Sequence, residues 1–281
     1  MRNANLLAFL FLASPLVLCS RCVCENVSKL AADQITISYL VPSVAITLHE
    51  PVILRLQIRN TSSEVIQLDL GKNRNENFIV SYTGPDAETP QTATLRKPGF
   101  GVAGTISVSP AETYEQDILL NQWVRFTRAG KYEIEIQLFR PPVPPKDNAT
   151  VDLRPFKATI EILPPDSKRL EDVCQALAQK IGDATSYQNA ADAALELSFV
   201  RDPIAVPFLQ KALYAGKLVE PVAIDGLEQI GNQQATRVLV EALNRMPPDI
   251  TSLVRAALER IENRTSDIRI KDLIQKFLDH R

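Results

Sequence analysis

The hydrophobic residues of this chain follow two rhythms, and the change falls at one place. Up to Leu163 they recur at every second position; after Asp166 they recur at every third or fourth. A period of two marks a strand with one face in a core, and a period near 3.6 marks an amphipathic helix. Between the two lies Pro164-Pro165. Proline lacks an N–H and clashes with the preceding turn, so neither a ladder nor a helix interior crosses such a pair. The chain therefore reads as two modules: strands over residues 25–163, a proline linker at 164–166, and helices over 167–281.

In the first module Val52, Leu54, Leu56 and Ile58 alternate with Ile53, Arg55, Gln57 and Arg59, and Tyr132, Ile134, Ile136 and Leu138 alternate with Lys131, Glu133, Glu135 and Gln137. Ile66, Leu68 and Leu70, and Ala158, Ile160 and Ile162, repeat the pattern. Turn residues such as Asn60-Thr61-Ser62-Ser63, Gly84-Pro85-Asp86 and Arg128-Ala129-Gly130 separate the runs. Many short strands with no helix between them predict an antiparallel β-sandwich. The stretch Arg128-Ala129-Gly130-Lys131-Tyr132-Glu133-Ile134 resembles the Gly-x-Tyr strand entry of immunoglobulin-like domains. The paired cysteines of true immunoglobulin domains are missing, so the resemblance implies an Ig-like sandwich and nothing narrower.

Two loops of this module are candidate contact loops. One is Arg96-Lys97-Pro98-Gly99-Phe100-Gly101, where Arg96, Lys97 and Phe100 combine charge with an aromatic; the other is the polyproline-like Arg140-Pro141-Pro142-Val143-Pro144-Pro145-Lys146. Loops of this composition also serve as plain surface connections. Trp123, among Leu119, Leu120, Val124 and Phe126, is expected in the core. Asn60-Thr61-Ser62, Asn148-Ala149-Thr150 and Asn263-Arg264-Thr265 match the short glycosylation pattern, which carries little weight alone.

Beyond the linker, Leu170, Val173, Cys174, Leu177 and Ile181 form one apolar stripe, with Asp166 placed to cap the helix. Six further helices are expected at about 187–200, 203–215, 220–231, 233–246, 249–263 and 267–279. Pro203 and Pro221 stand at helix starts, Gly216 and Gly231 just past helix ends, and Ser266 is the expected cap of the last helix. Leu227-Glu228-Gln229-Ile230 is echoed by Leu258-Glu259-Arg260-Ile261, 31 residues later, and more loosely by Leu195-Glu196-Leu197-Ser198-Phe199 upstream. A period in that range is the signature of stacked helical hairpins. Phe199-Val200-Arg201-Asp202, Ala205-Val206-Pro207-x-Leu209, Ala212-Leu213 and Ile230-Gly231-Asn232 resemble HEAT repeats. The resemblance implies a short solenoid of three hairpins, the third degenerate, with the first helix closing one end. On its concave face Gln210, Lys211, Arg237, Glu241, Lys271 and Gln275 are candidate partner-binding residues; their alternative is ordinary solvated helix surface.

The amino terminus predicts export. Arg2 precedes an apolar run from Leu6 to Leu18, the length of a signal-peptide core and short for a membrane span, so residues 1–24 read as a signal peptide. A lipid anchor on Cys19 or Cys22 is the alternative, less favoured because no small residue directly precedes either. After cleavage Cys174 is the cysteine that remains, and it reads as a buried hydrophobe. Residues 25–163 carry 14 basic and 16 acidic side chains and residues 164–281 carry 15 and 17, so neither module has the basic footprint of a nucleic-acid binder. His49 and His280 are the two histidines, and neither sits in a recognisable catalytic or metal-ligating pattern. No cofactor motif appears. The Glu133/Glu135 pair reads as a solvated strand face. The expectation is thus an exported, non-enzymatic protein-binding or adaptor protein whose partner is a protein or peptide. Two alternatives stand beside it: a secreted protease inhibitor working through sandwich-end loops, and a hydrolase with an unrecognised site.

Overall fold

The structure, a computed structural model, describes residues 25–26, 35–41, 45–70, 74–87, 89–94, 105–139, 154–216 and 219–278. It is mostly β in its first part and helical in its second, with seven α-helices among the described residues. The strands are β1 (Glu25–Asn26), β2 (Ile35–Leu40), β3 (Ala45–Thr47), β4 (Ile53–Asn60), β5 (Ile66–Asp69), β6 (Phe78–Thr83), β7 (Gln91–Ala93), β8 (Thr105–Val108), β9 (Thr113–Leu119), β10 (Gly130–Leu138) and β11 (Phe156–Leu163). They form three open sheets, ordered β1-β2-β4-β9, β3-β11-β10-β6-β7 and β5-β8. All pairings are antiparallel except β3 with β11.

The third sheet continues the ribbon of the first. Strand β4 runs into β5 and β8 into β9, and both pairs keep one antiparallel sense across the break. Asn60 pins the break from inside. Its Nδ2 donates to the carbonyls of Glu64 (2.7 Å) and Val108 (2.9 Å), and its Oδ1 accepts from the Ser62 amide (2.9 Å). With 0% exposure and its amide engaged, Asn60 offers no nitrogen for a glycan, despite its sequence context.

The alternation read from sequence decides which faces meet. Leu54, Leu56 and Ile58 from one sheet, Ile134, Ile136, Ile160 and Ile162 from another, and Ile66 and Leu68 from the third share a single apolar core. Trp123 lies in it, 2% exposed, with its ring edge-on to Phe78 at 6.4 Å. The Tyr132 hydroxyl donates to the Arg128 carbonyl at 3.2 Å, tying the entry of β10 to the turn before it.

The helices are α1 (Ser167–Asp183), α2 (Tyr187–Ser198), α3 (Val206–Leu213), α4 (Glu220–Ile230), α5 (Gln233–Ala242), α6 (Pro248–Arg264) and α7 (Ile268–Leu278). A 3-10 turn at Pro203–Ala205 precedes α3, so the helix expected from 203 splits in two. Asp166 caps α1 by accepting from the Arg169 amide. Gly216 and Gly231 have φ of 67° and 58°, the left-handed conformation that glycine meets without a Cβ clash. The cap expected of Ser266 falls one residue later: the Asp267 carboxylate accepts from the Arg269 amide at 2.9 Å, and the Thr265 hydroxyl accepts from the Asp267 amide. A carboxylate beside a helix start also meets the positive end of the dipole, which favours Asp over Ser.

Helices α2, α4 and α6 touch in series along one layer, and α3, α5 and α7 along the other, with α1 packed on α2 and α3. Between the layers lies a second core, separate from that of the strands, built from residues such as Leu197, Leu209, Leu227, Leu239, Leu258 and Ile274. Cys174 is within it; burial, with lesser contributions from Asp202 and Glu171, pushes its thiol up to about 12. A thiol so held is a packing residue and not a nucleophile at neutral pH.

Candidate functional site

The candidate residues on the helices fall in one layer, two per helix. Gln210 and Lys211 are on α3, Arg237 and Glu241 on α5, Lys271 and Gln275 on α7. Lys211, Arg237, Glu241 and Gln275 are exposed, and Gln210 and Lys271 are half-buried. Lys211 holds its ammonium 5.8 Å from the centre of the Phe208 ring, a cation–π arrangement that steadies the side chain without neutralising it. Gln275 donates to the Glu262 carboxylate at 2.9 Å, so its amide is already partly engaged. Arg96, Lys97 and Phe100 lie outside the described residues, as does the proline run from Arg140 to Lys146.

Glu133 and Glu135 stand on the outer face of β10 as paired surface groups. Glu133 accepts from the Thr159 hydroxyl at 2.9 Å, and Glu135 lies 3.1 Å from the Lys157 ammonium. Each is matched to a neighbour on β11, the usual cross-strand pairing. His49 sits in the turn after β3 with φ of 75°.

The feature without a local sequence signature is the joint between the strands and the helices. Thr47, 1% exposed at the end of β3, reaches across the proline pair. Its hydroxyl donates to the Pro164 carbonyl at 2.7 Å and accepts from the Asp166 amide at 2.8 Å. The Leu48 amide donates to the Leu163 carbonyl at 2.9 Å, carrying the β3–β11 pairing up to the linker. From the helical side, Arg169 reaches back: its Nε lies 2.7 Å from Glu50 Oε2, and its Nη2 donates to Glu50 Oε1 and the Ala45 carbonyl, both at 3.1 Å. Glu50 in turn accepts from the Thr47 amide at 3.0 Å. A bidentate arginine–carboxylate pair of this kind fixes direction as well as distance. The linker is therefore bracketed, with one brace from the strand side and one from α1.

A second tie runs inside the stack. Glu228 on α4, 5% exposed, receives Nε (3.0 Å) and Nη2 (2.7 Å) of Arg260 on α6, and Arg264 donates to the Glu228 carbonyl. The partners are 32 residues apart, one more than the 31-residue spacing of the sequence echo. Leu227-Glu228 and its echo Leu258-Glu259-Arg260 thus lie on two helices that this ion pair joins.

No family model matches the chain, and no curated protein matches it. Among solved structures, a β-glucosidase from Listeria innocua in complex with isofagomine overlays 47% of this chain and 16% of its own, at 12% identity and a TM-score of 0.24. A β-glucosidase from Erythrobacter marinus overlays 45% and 15%, at 11% identity and a TM-score of 0.24. Astrotactin-2, described as a vertebrate-specific, perforin-like membrane protein involved in neuronal development, overlays 79% and 38%, at 12% identity and a TM-score of 0.21. The chain spans less than two fifths of each of these proteins, and overlays this loose carry no argument about fold or activity.

Proposed function

We propose that this chain is an exported, non-enzymatic adaptor that binds a protein or peptide on a surface shared by its two halves. In this reading the strand half is an Ig-like sandwich. Support comes from the parallel β3–β11 pairing, by which the N-terminal strands serve both sheets, and from the Tyr132–Arg128 bond, which matches the tyrosine corner of such domains. The helical half is a minimal HEAT-like stack, supported by its two helix layers and by the Glu228–Arg260 tie between α4 and α6.

The bracketed linker carries the proposal. Halves that work independently are commonly joined by flexible chain, and relative motion is the default. Here Thr47, Glu50 and Arg169 hold the two halves in one orientation across three residues. A fixed orientation is useful when one ligand touches both sides, because it removes the entropy of aligning them on binding.

The test uses the whole mature chain. A partner is captured from an envelope or culture fraction by crosslinking, and its affinity is then measured for two sets of variants. Lys211→Glu with Arg237→Glu alters the helical face; Thr47→Val with Arg169→Ala releases the joint. Both sets are expected to weaken binding about tenfold or more, which is about 1.4 kcal/mol. A partner whose affinity ignores both sets, or repeated failure to capture any partner, overturns the reading.

A further inference from the structure

The two layers of the helical half differ in charge. Helices α2, α4 and α6 carry eight carboxylates against three arginines, whereas α3, α5 and α7 carry five basic side chains against two acidic ones. Within the basic layer Arg269 is taken by Asp267, just before α7. Lys211, Arg237 and Lys276 are exposed, as is Arg245 in the turn that continues α5, and among the described residues none of these four is paired with a carboxylate. The core fixes how they are arranged. Leu209 and Leu213 of α3 and Leu239 and Leu243 of α5 are buried in it, so Lys211 and Glu241, two residues beyond Leu209 and Leu239, hold matching places on helices that touch. Arg237 and Arg245 stand four residues to either side of Glu241, about one helical turn each way. Glu241 is thus one carboxylate among three cations. Tyr214, 41% exposed and three residues beyond Lys211, sets an aromatic ring beside them. A cation in the last turn of a helix answers the dipole, which accounts for Lys211 and Lys276. Arg237 lies in the first half of α5, where a cation gains nothing from it.

We propose that the face of α3 and α5 around Glu241 binds an acidic segment of a partner protein, with Lys211, Arg237 and Arg245 as its anchors. This deepens the adaptor reading and rests on it for the existence of a partner. Charge complementarity selects the occupant. Arg237 and Arg245 supply two forked donors suited to carboxylates, and Lys211 supplies a point charge steadied over the Phe208 ring. An extended segment fits the spacing: packed helices lie about 8–10 Å apart and a strand rises about 3.3 Å per residue, so carboxylates three residues apart reach from Lys211 to the α5 arginines. A nucleic acid is disfavoured, because Glu241 and Asp272 interrupt any continuous track for its phosphates. A second copy of this chain is a poorer occupant. Of the carboxylates on α2 and α4, Glu228 is buried against Arg260, Asp192 accepts from Gln188, and Glu196, Glu220 and Asp225 are half-buried.

Fluorescence anisotropy on the full mature chain tests it. The probe is a fluorescein-labelled peptide of repeated Glu-Gly-Gly, compared with repeated Gln-Gly-Gly and with oligothymidylate. The glutamate peptide is expected to bind about tenfold more tightly than either, and to lose about tenfold as NaCl rises from about 20 to about 200 mM. Lys211→Glu with Arg245→Glu should weaken it about tenfold. Lys131→Glu with Lys157→Glu, the same change in net charge placed on the strand half, should leave it unchanged. Glu241→Gln should tighten it about two- to fivefold, because the one anion among the three cations is gone. Should the double reversal fail to fold, Glu241→Gln still decides. Equal affinity for the glutamate and glutamine peptides, equal or tighter binding of oligothymidylate, or an equal loss in the strand-half control overturns the proposal. So does salt-sensitive self-association that Arg245→Glu abolishes, which would make a second copy the occupant. A captured partner that responds to the joint variants but ignores Lys211→Glu with Arg245→Glu refutes the acidic anchor and leaves the adaptor reading standing. Failure to capture any partner overturns the adaptor reading, while the peptide probe still reports on this face.

Discussion

Replacing Thr47 with valine removes one hydroxyl and leaves the side-chain volume nearly unchanged, so its effect isolates the polar contribution of the joint. Two bonds go: the donation to the Pro164 carbonyl at 2.7 Å and the acceptance from the Asp166 amide at 2.8 Å. A typical lost hydrogen bond costs about 0.5–1.5 kcal/mol, and a partner left buried without a replacement costs about 1–3 kcal/mol. Pro164 and Asp166 are exposed, so water can reach their backbone groups once the hydroxyl is gone, and the lower figures apply. The expected cost is about 1–3 kcal/mol in all. Urea denaturation reads it with two probes. Trp123, the single tryptophan, is buried in the strand core and reports that half by fluorescence; far-ultraviolet circular dichroism is dominated by the seven helices. In the wild-type chain the two transitions should coincide, as expected of coupled halves. In Thr47→Val the midpoint should fall and the two curves should separate. Thr47→Ser, which keeps the hydroxyl, should lose much less. Identical midpoints for Thr47→Val and wild type, within about 0.5 kcal/mol, would show that the joint contributes nothing beyond ordinary surface contact.

Two further substitutions test the stack. In Gly226→Ala the new Cβ would stand 2.8 Å from Leu209 Cδ2 and 3.0 Å from the Ser198 Cα; the leucine can rotate, but the backbone cannot. Alanine gains about 1 kcal/mol of helix propensity over glycine, while overpacking costs about 1–3 kcal/mol, so a net loss of about 1 kcal/mol is expected by denaturation and a net gain would refute the close approach of α4 to α2. Arg260→Ala strands the Glu228 carboxylate at 5% exposure. Because the Arg260 side chain is itself 58% exposed, the loss should be about 1–2 kcal/mol and not the larger figure of a fully buried pair, and Glu228→Gln in the same chain should recover part of it.

What could be read in the sequence was local. The stripe Leu170, Cys174, Leu177 and Ile181 is buried, and Val173 beside it packs against the same core, because a helical period places them on one side whatever the rest of the chain does. The same holds for Leu54, Leu56 and Ile58 in their strand. Asp166, Gly216 and Gly231 were legible because a cap or a left-handed residue answers to its immediate neighbours. The break between β4 and β5 was half legible: Asn60-Thr61-Ser62-Ser63 announces a turn, but not that the ribbon resumes beyond it with Asn60 sealed inside. The joint was illegible. Thr47 lies 117 residues from Pro164 and Arg169 lies 119 from Glu50, and no periodicity connects them.

The way the halves are joined also determines what can change their relationship. Each has its own apolar core, and the bonds across Pro164-Pro165 are hydroxyl to backbone, guanidinium to carboxylate and guanidinium to carbonyl. Apolar burial offers no charge for counter-ions to screen; charge pairs near a surface are weakened as salt rises. A core substitution such as Leu209→Ala or Leu56→Ala would lower the stability of one half without altering the direction in which Arg169 meets Glu50. The orientation of the halves, by contrast, is held in part by the Arg169–Glu50 pair, whose guanidinium side chain is 36% exposed. A polar joint of this kind leaves the orientation open to ionic strength. A joint sealed by apolar side chains would have made it a constant.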